Sequence, residues 1–229
     1  MKKIIYFLSI TFLLLQACSK SDSSNDSNSV VSVIDADGNS YEVVNICNQT
    51  WTKTNLKVSH YRNGDVIPQV TDAAQWSTLT TGGWCYYEDS SYSNGILNGV
   101  TYGKLYNWYA VNDPRGIAPL GYHIPSDTEW TVLTTCVGMA NIAGGKLKEI
   151  GTQHWLGPNT GATNEAGFTA LPGGSRNSMG DMGDYGFWWS SSPYNSTNAI
   201  YRCIKSNSAS LFSNNTLKEL GFSVRCIKD

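Results

Sequence analysis

The sequence predicts one α+β domain, mostly antiparallel sheet with two helices and long irregular loops. Two observations carry this. Strand-like segments come first, then helix-like ones, then strands again, which segregates helices from sheet instead of alternating them. From Gly157 onward, Gly, Asn and Ser punctuate short apolar runs, the composition of strands and turns. The foldable part, residues 30–229, is about 200 residues, enough for a single sizeable core.

Val30 to Val44 reads as two strands around Asp37-Gly38, a hairpin signal. The same stretch offers Asp35-x-Asp37-Gly-Asn39, the opening of a calcium loop. Such a loop needs Glu at its twelfth position, where Ile46 stands, so the hairpin is preferred. Ile46 to Val58 is a further strand with Trp51 and Leu56 as core candidates. Tyr61 to Pro68 is a turn with its flanks, and Gly83 to Tyr87 a short buried strand. Leu105, Trp108 and Tyr109 fall at helical spacing within Tyr102–Val111, and Asn112-Asp-Pro-Arg-Gly116 ends that helix. The second helix starts at Ser126-Asp-Thr-Glu129, a capping box. Trp130, Leu133 and Val137 give it one apolar stripe, and Gly138 closes it. Gly144 to Glu149 is short and ambiguous.

The last third carries Leu171-Pro-Gly-Gly-Ser-Arg176, Gly186-Phe-Trp-Trp-Ser-Ser191 and Gly221-Phe-Ser-Val-Arg-Cys226. The stretch Ser190 to Thr216 holds fifteen Ser, Thr or Asn in 27 positions and no acidic residue. The framing blocks read as apolar scaffold and the polar stretch as a recognition surface. Tyr, Ser and Asn are the residue types of adaptable paratopes. The candidate ligand-binding residues are Trp188, Trp189, Tyr194, Asn195, Asn198, Tyr201, Lys205, Asn207, Asn214 and Asn215. For Trp188 and Trp189 the competing expectation is burial in the core.

The chain opens Met1-Lys-Lys, then an apolar run from Ile4 to Leu15, then Leu15-Gln-Ala-Cys18. The run is too short to span a bilayer, and the pattern is that of a lipoprotein leader. Residues 1–17 are the expected signal peptide, with Cys18 as the lipidated residue. Several alkyl chains at about 0.8 kcal/mol per buried CH₂ hold such an anchor permanently. Residues 18–29 contain no apolar side chain beyond Cys18 and form the expected flexible tether. Ser19 is not an inner-membrane retention residue, so the expected location is the outer membrane, possibly surface-exposed. Loss of Lys2 and Lys3 leaves 14 basic against 18 acidic residues with no basic run, which argues against nucleic acid.

No catalytic, metal or cofactor site is expected. His60, His123 and His154 have no metal-like partner at i+2 to i+4. No nucleophile elbow or phosphate loop occurs. Glu88, Asp89, Glu129 and Glu165 are not paired by any spacing. Cys47, Cys85, Cys136, Cys203 and Cys226 form no CxxC, so disulfides outrank zinc; five thiols leave one over.

Seven ordered blocks resemble one family. They are Asn63-Gly-Asp-Val-Ile-Pro68, Leu105-Tyr-Asn-Trp-Tyr-Ala110, Gly121 to Trp130, Ala143-Gly-Gly-Lys146, Gly167 to Gly174, Trp188-Trp-Ser-Ser191 and Gly221 to Cys226. Together, over residues 32–228, they are similar to the Fibrobacter succinogenes major paralogous domain. That family is common in lipoproteins and surface proteins of the Bacteroidota and Fibrobacter groups, and its biochemical role is undefined. A more remote similarity joins His123 to Trp130, Gly173-Gly-Ser175 and Gly221 to Cys226 to formylglycine-generating-type domains. It implies a C-type-lectin-like fold with paired chain ends and a long irregular ligand face. With the blocks so placed, Cys85 is expected to pair with Cys226 and Cys47 with Cys136, leaving Cys203 free. Those bridges would occupy the cysteines an oxidase of that type needs, and the acidic and Trp-Asn-Asp motifs of calcium-dependent lectins are missing. The resulting expectation is a lipid-anchored surface protein binding an extracellular protein or glycan. The alternative is a non-binding structural component of the cell envelope.

Overall fold

The computed structural model describes residues 31–87, 95–176 and 181–229. The expected leader, Cys18 and the tether to residue 29 lie outside them, as do Glu88 and Asp89. Among the described residues no helix is long and apolar enough to cross a membrane.

The chain is mixed α/β with mostly antiparallel sheet. The hairpin forms as β1 (Ser32–Ile34) and β2 (Ser40–Ile46). Gly38 supplies φ +82° at its turn. Asp35 locks that turn, its carboxylate accepting from the Asp37 and Asn39 amides. Strand β3 (Gln49–Thr52) follows, then helix α1 (Ala73–Trp76), capped by Asp72. Next come β4 (Trp84–Cys85), α2 (Gly95–Tyr102) and β5 (Leu105–Tyr106). Helix α3 (Trp108–Val111), β6 (Tyr122–His123) and helices α4 (Asp127–Cys136) and α5 (Ala140–Leu147) lead to the last strands. These are β7 (Tyr185–Pro193), β8 (Asn198–Lys205), β9 (Leu211–Leu217) and β10 (Ile227–Lys228).

Two helices were expected, and the described residues contain five. Helices α1 and α3 are single turns whose orphan amides are met by Asp72 and Asn107 side chains, a signal too short for periodicity to register. The expected helix over Tyr102–Val111 is broken. Gly103 takes φ +82°, Leu105–Tyr106 pair with β4, and helix begins only after Asn107. The Ser126–Glu129 capping box forms as expected, and Trp130, Leu133 and Val137 are buried. Helix α5 resolves the ambiguous segment. Its Gly144 and Gly145 lie flush on backbone: an added Cβ would meet Ser210 O at 2.3 Å and Gly161 O at 2.3 Å.

Among the described residues three sheets organise the core. The five-stranded one runs β1-β2-β3-β10-β6, so the N-terminal strands and the C-terminal strand share it. Strands β4 and β5 form a second, and β7-β8-β9 a third, antiparallel throughout. The third sheet lies between two apolar clusters. Trp188, Ile204 and Leu211 belong to one with Trp130, Leu133 and Leu147 of α4 and α5. Trp189 and Ala199 belong to the other, with Tyr106, Phe222 and Val224. Ser223 extends the sheet past β7, bonding backbone to Trp189 and Phe187.

One buried cation ties these layers. Arg225, 1% exposed, donates to Asn55 Oδ1 at 2.7 Å and to the Thr52, Phe168 and Thr169 carbonyls. Asn55 Oδ1 also accepts from Trp188 Nε1 at 2.9 Å. The network thus joins the end of β3, the Phe168 loop and β7 through groups that would be costly to leave unmet.

The expected Cys47–Cys136 disulfide is present and ties the β2–β3 turn to the end of α4. The expected Cys85–Cys226 bridge is not made, and Cys226 is a buried free thiol. The pleat explains this. Cys85 pairs with Leu105 and both face a small cluster with Val70 and Trp76. Tyr106, the next residue, faces the cluster that holds Cys226. Successive side chains of a strand point to opposite faces, so the two sulfurs are on different sides of β4–β5.

Candidate functional site

The polar stretch Ser190–Thr216 is not an irregular display loop. It is the end of β7, a tight connection, β8, a second turn and most of β9. Register then decides which side chains share a face, because directly opposed residues point the same way. Phe187 opposes Cys203, which opposes Phe212; Trp189 opposes Tyr201, which opposes Asn214; Tyr185 opposes Lys205. These residues form one face, here termed outer. Gly186, Ile204 and Leu211 form the other, with Trp188, Arg202 and Ser213 beside them.

The expected binding residues are therefore dispersed. Trp188 and Trp189 are each 0% exposed, on opposite faces of one strand, and cannot touch a ligand. Their indole N–H groups are spent on Asn55 Oδ1 and the Tyr106 carbonyl. Asn195 serves the β7–β8 turn, its Oδ1 accepting from the Thr197 and Asn198 amides. Asn198 donates to Asn215 Oδ1 at 3.0 Å on the inner face. Tyr194 is exposed in that same turn, and Asn207 is exposed in the β8–β9 turn at the opposite end. Only Tyr201, Lys205 and Asn214 meet on one surface, the outer face.

That face contains three aromatic residues that the sequence reading assigned to scaffold or left out. Tyr185 and Phe187 stack with centroids 5.6 Å apart and planes 2° from parallel. Phe187 continues the row onto Phe222 at 4.9 Å. Lys205 Nζ sits 5.6 Å from the Tyr185 ring and 4.9 Å from the Phe212 ring. Burial is complete at Trp189 and falls toward the other end, where Tyr185, Phe187 and Lys205 are half-buried and Phe212 is exposed. The alternation Tyr185, Phe187, Trp189 was the signal that could have found them. Cys203 lies between Phe187 and Phe212, 5% exposed, and burial pushes its thiol up to about 12. It is an inert core residue.

The basic side chains of this region mostly hold structure. Arg202, 3% exposed, pairs with Asp127 at 2.6 Å and donates to Ser213 Oγ. Lys218 donates to the Asn195 and Ser196 carbonyls and covers the Trp108 ring. Lys148, 0% exposed, donates to the Lys205, Ser206 and Ser208 carbonyls, and burial lowers its ammonium to about 8. Lys205 differs: its contacts are rings, and its charge faces the half-open end of the row.

The histidines are each engaged by carboxylates. His123 meets Asp229 at 2.7 Å and Glu129 at 2.8 Å; His60 meets Asp37 and His154 meets Glu149. With both ring nitrogens of His123 occupied, it is a structural link between α4 and the chain end. Among the described residues no group of three or more His, Cys, Asp or Glu could hold a metal ion.

No curated protein and no solved structure matches the chain. The Fibrobacter succinogenes major domain matches residues 44–228. The shared blocks have physical roles here: the capping box of α4, the flush glycines of α5, the adjacent buried tryptophans of β7 and the Arg225 network. The chain belongs to the Fibrobacter succinogenes major domain family.

Proposed function

We propose that this protein is an outer-membrane lipoprotein, anchored through Cys18, whose lectin-like domain binds an extracellular ligand on the outer face of β7–β8–β9. The observation that carries the reading is the row of half-exposed rings, Tyr185 and Phe187 with Phe212 beside them, around the Lys205 ammonium. Rings with a polar group among them suit a ligand with flat apolar patches and hydroxyl acceptors, a glycan above all. Strands position these groups rigidly, so little ordering entropy is spent on binding. The shared sheet of N- and C-terminal strands supports the lectin-like comparison, in which the chain ends are paired. The leader pattern and the apolar-free tether support an anchored domain held away from the membrane.

The test is a glycan array and pulldown with the wild type and a Phe212→Ala/Lys205→Gln variant. Both positions are at the open end of the row, so folding should persist. Binding present in the wild type and lost in the variant supports recognition by this face. Binding unchanged in the variant moves the site elsewhere, and no binding by the wild type favours a structural envelope component. Palmitate labelling of wild type against Cys18→Ser tests the anchor.

A further inference from the structure

A recess of about 380 Å³ opens at the β1–β2 turn, lined by Asp37, Asn39, Lys57, Ser59, Tyr86 and Lys104 together with α2. It shares no residue with the sheet face. Lys104 is 6% exposed, and its ammonium lies 3.8 Å from the centre of the Trp84 ring. Among the described residues it forms no ion pair. Its hydrogen bond goes to Ser59 Oγ, which leaves two of its three N–H donors without a partner there. Asp37, the acid of the lining, accepts from His60 Nδ1 at 2.6 Å and the Ser59 amide at 2.5 Å, and with Asp35 it attracts the Lys104 ammonium through space. Among the described residues Lys57 reaches the Val100 carbonyl, at 3.0 Å, and keeps two donors there. The Ser59 hydroxyl accepts from Lys104 and is turned to the Asp37 carboxylate.

Unused donors therefore surround a largely buried ammonium, for which burial outweighs the attraction of Asp37 and Asp35. A buried cation of this kind is stabilised by a carboxylate, through short charge-assisted bonds. The recess also has an apolar wall. Tyr86 is half-buried and lies against Gly99 of α2, where an added Cβ would stand 2.1 Å from its ring. The volume is that of a small-ligand site.

We propose that this recess binds a carboxylated pyranose, its carboxylate on Lys104 and Lys57 and its sugar ring against Tyr86. Neutral sugars lack the charged contact, and simple carboxylates lack the ring contact.

The experiment is calorimetric titration of the full chain in detergent with glucuronate, galacturonate, glucose and acetate. A hexuronate should bind at least about tenfold more tightly than glucose or acetate, the scale of hydrogen bonds to a charged group. Lys57→Met, at the accessible side of the recess, should cut hexuronate affinity by about tenfold. Lys104→Met should remove it; if that variant misfolds, the Lys57 result and the 15N shift of the Lys104 ammonium on adding glucuronate decide. Equal affinity for glucose and glucuronate overturns the proposal, as does acetate binding as tightly as glucuronate. Hexuronate binding that survives Lys57→Met at full strength with the Lys104 signal unmoved also overturns it. Hexuronate binding lost on Phe212→Ala assigns the acid to the sheet face, and this proposal fails while the proposed function stands.

Discussion

On one side of β7–β8–β9, Trp188, Ile204 and Leu211 are closed over by α4 and α5; on the other, Tyr185, Phe187 and Phe212 run out half into water. The two faces are written in the same strands, one residue apart. The inner face has helices to cover it, so its aromatic residue becomes core. On the outer face Phe222 packs on Trp189, Tyr201 and Phe187, and Tyr185 and Phe212 lie beyond that cover. What distinguishes scaffold from surface here is parity within a strand together with the reach of Phe222, not the composition of a block.

The largest expected effect tests the inner face. Trp188→Ala should cost about 3–5 kcal/mol, the usual range for truncating a buried aromatic. It also leaves Asn55 Oδ1 with one donor fewer. Phe212→Ala should stay within about 0.5 kcal/mol, as for an exposed position. Urea midpoints of the two variants check this pair, and similar losses would break the distinction between the faces.

The helices that cover the inner face are held by the Cys47–Cys136 bridge across 89 residues. Removing it with Cys47→Ala/Cys136→Ala should cost about 2–4 kcal/mol, chiefly by freeing the unfolded chain. A reductant should lower the melting temperature of the wild type and leave the double variant unmoved. Reductant sensitivity persisting in the double variant would mean that Cys85, Cys203 or Cys226 is bridged, contrary to the buried Cys226 thiol.

The outer face should respond in affinity rather than in stability. Tyr185→Ala and Lys205→Gln should each lower ligand binding about tenfold, a loss near 1.4 kcal/mol. Tyr194→Ala, in the turn away from the ring row, should not. Surface plasmon resonance on the ligand found by array ranks the three; a Tyr194 effect as large as the Lys205 effect would move the site to the β7–β8 turn.

Much of the scaffold was legible in the sequence. The hairpin at Asp37-Gly38, the capping box at Ser126 and the Trp130, Leu133, Val137 stripe are local signals, and each folds as its residues dictate. The segment Tyr102–Val111 was misread because apolar spacing over so few residues fits a strand, a glycine break and a one-turn helix equally well. The site was misread for a different reason. Ser, Thr and Asn from 190 to 216 read as one recognition surface, yet they are divided between two strand faces and two turns, where Arg202 meets the Ser213 hydroxyl and Lys218 and Asn195 meet the turn backbone. The partner that makes Trp189 core and leaves Tyr185 open is Phe222, over thirty positions away, and no local pattern contains it.

The smallest expected effect concerns how α4 is held over the inner face. His123 joins Glu129, the capping-box acid of α4, to Asp229 at the chain end. Burial works against the imidazolium, but the Asp229 and Glu129 hydrogen bonds outweigh it and raise its pKa. Burial likewise works against the Glu129 carboxylate, and the Ser126 backbone and hydroxyl, with His123, bring it below its usual value. A raised histidine stabilises the fold fully below its unfolded value of about 6.5 and loses that contribution as pH rises through the folded value. A lowered glutamate stabilises above its unfolded value of about 4.3 and loses it as pH falls through its folded one. Both are in force only between, near pH 5 to 6. The pair is partly exposed, so the gain is at most about 1 kcal/mol. His123→Gln should therefore flatten the stability curve between pH 6 and 8 without lowering the plateau above it. A variant whose curve still falls over that range would take His123 out of the account, and α4 would be held at this end by Ser126 alone.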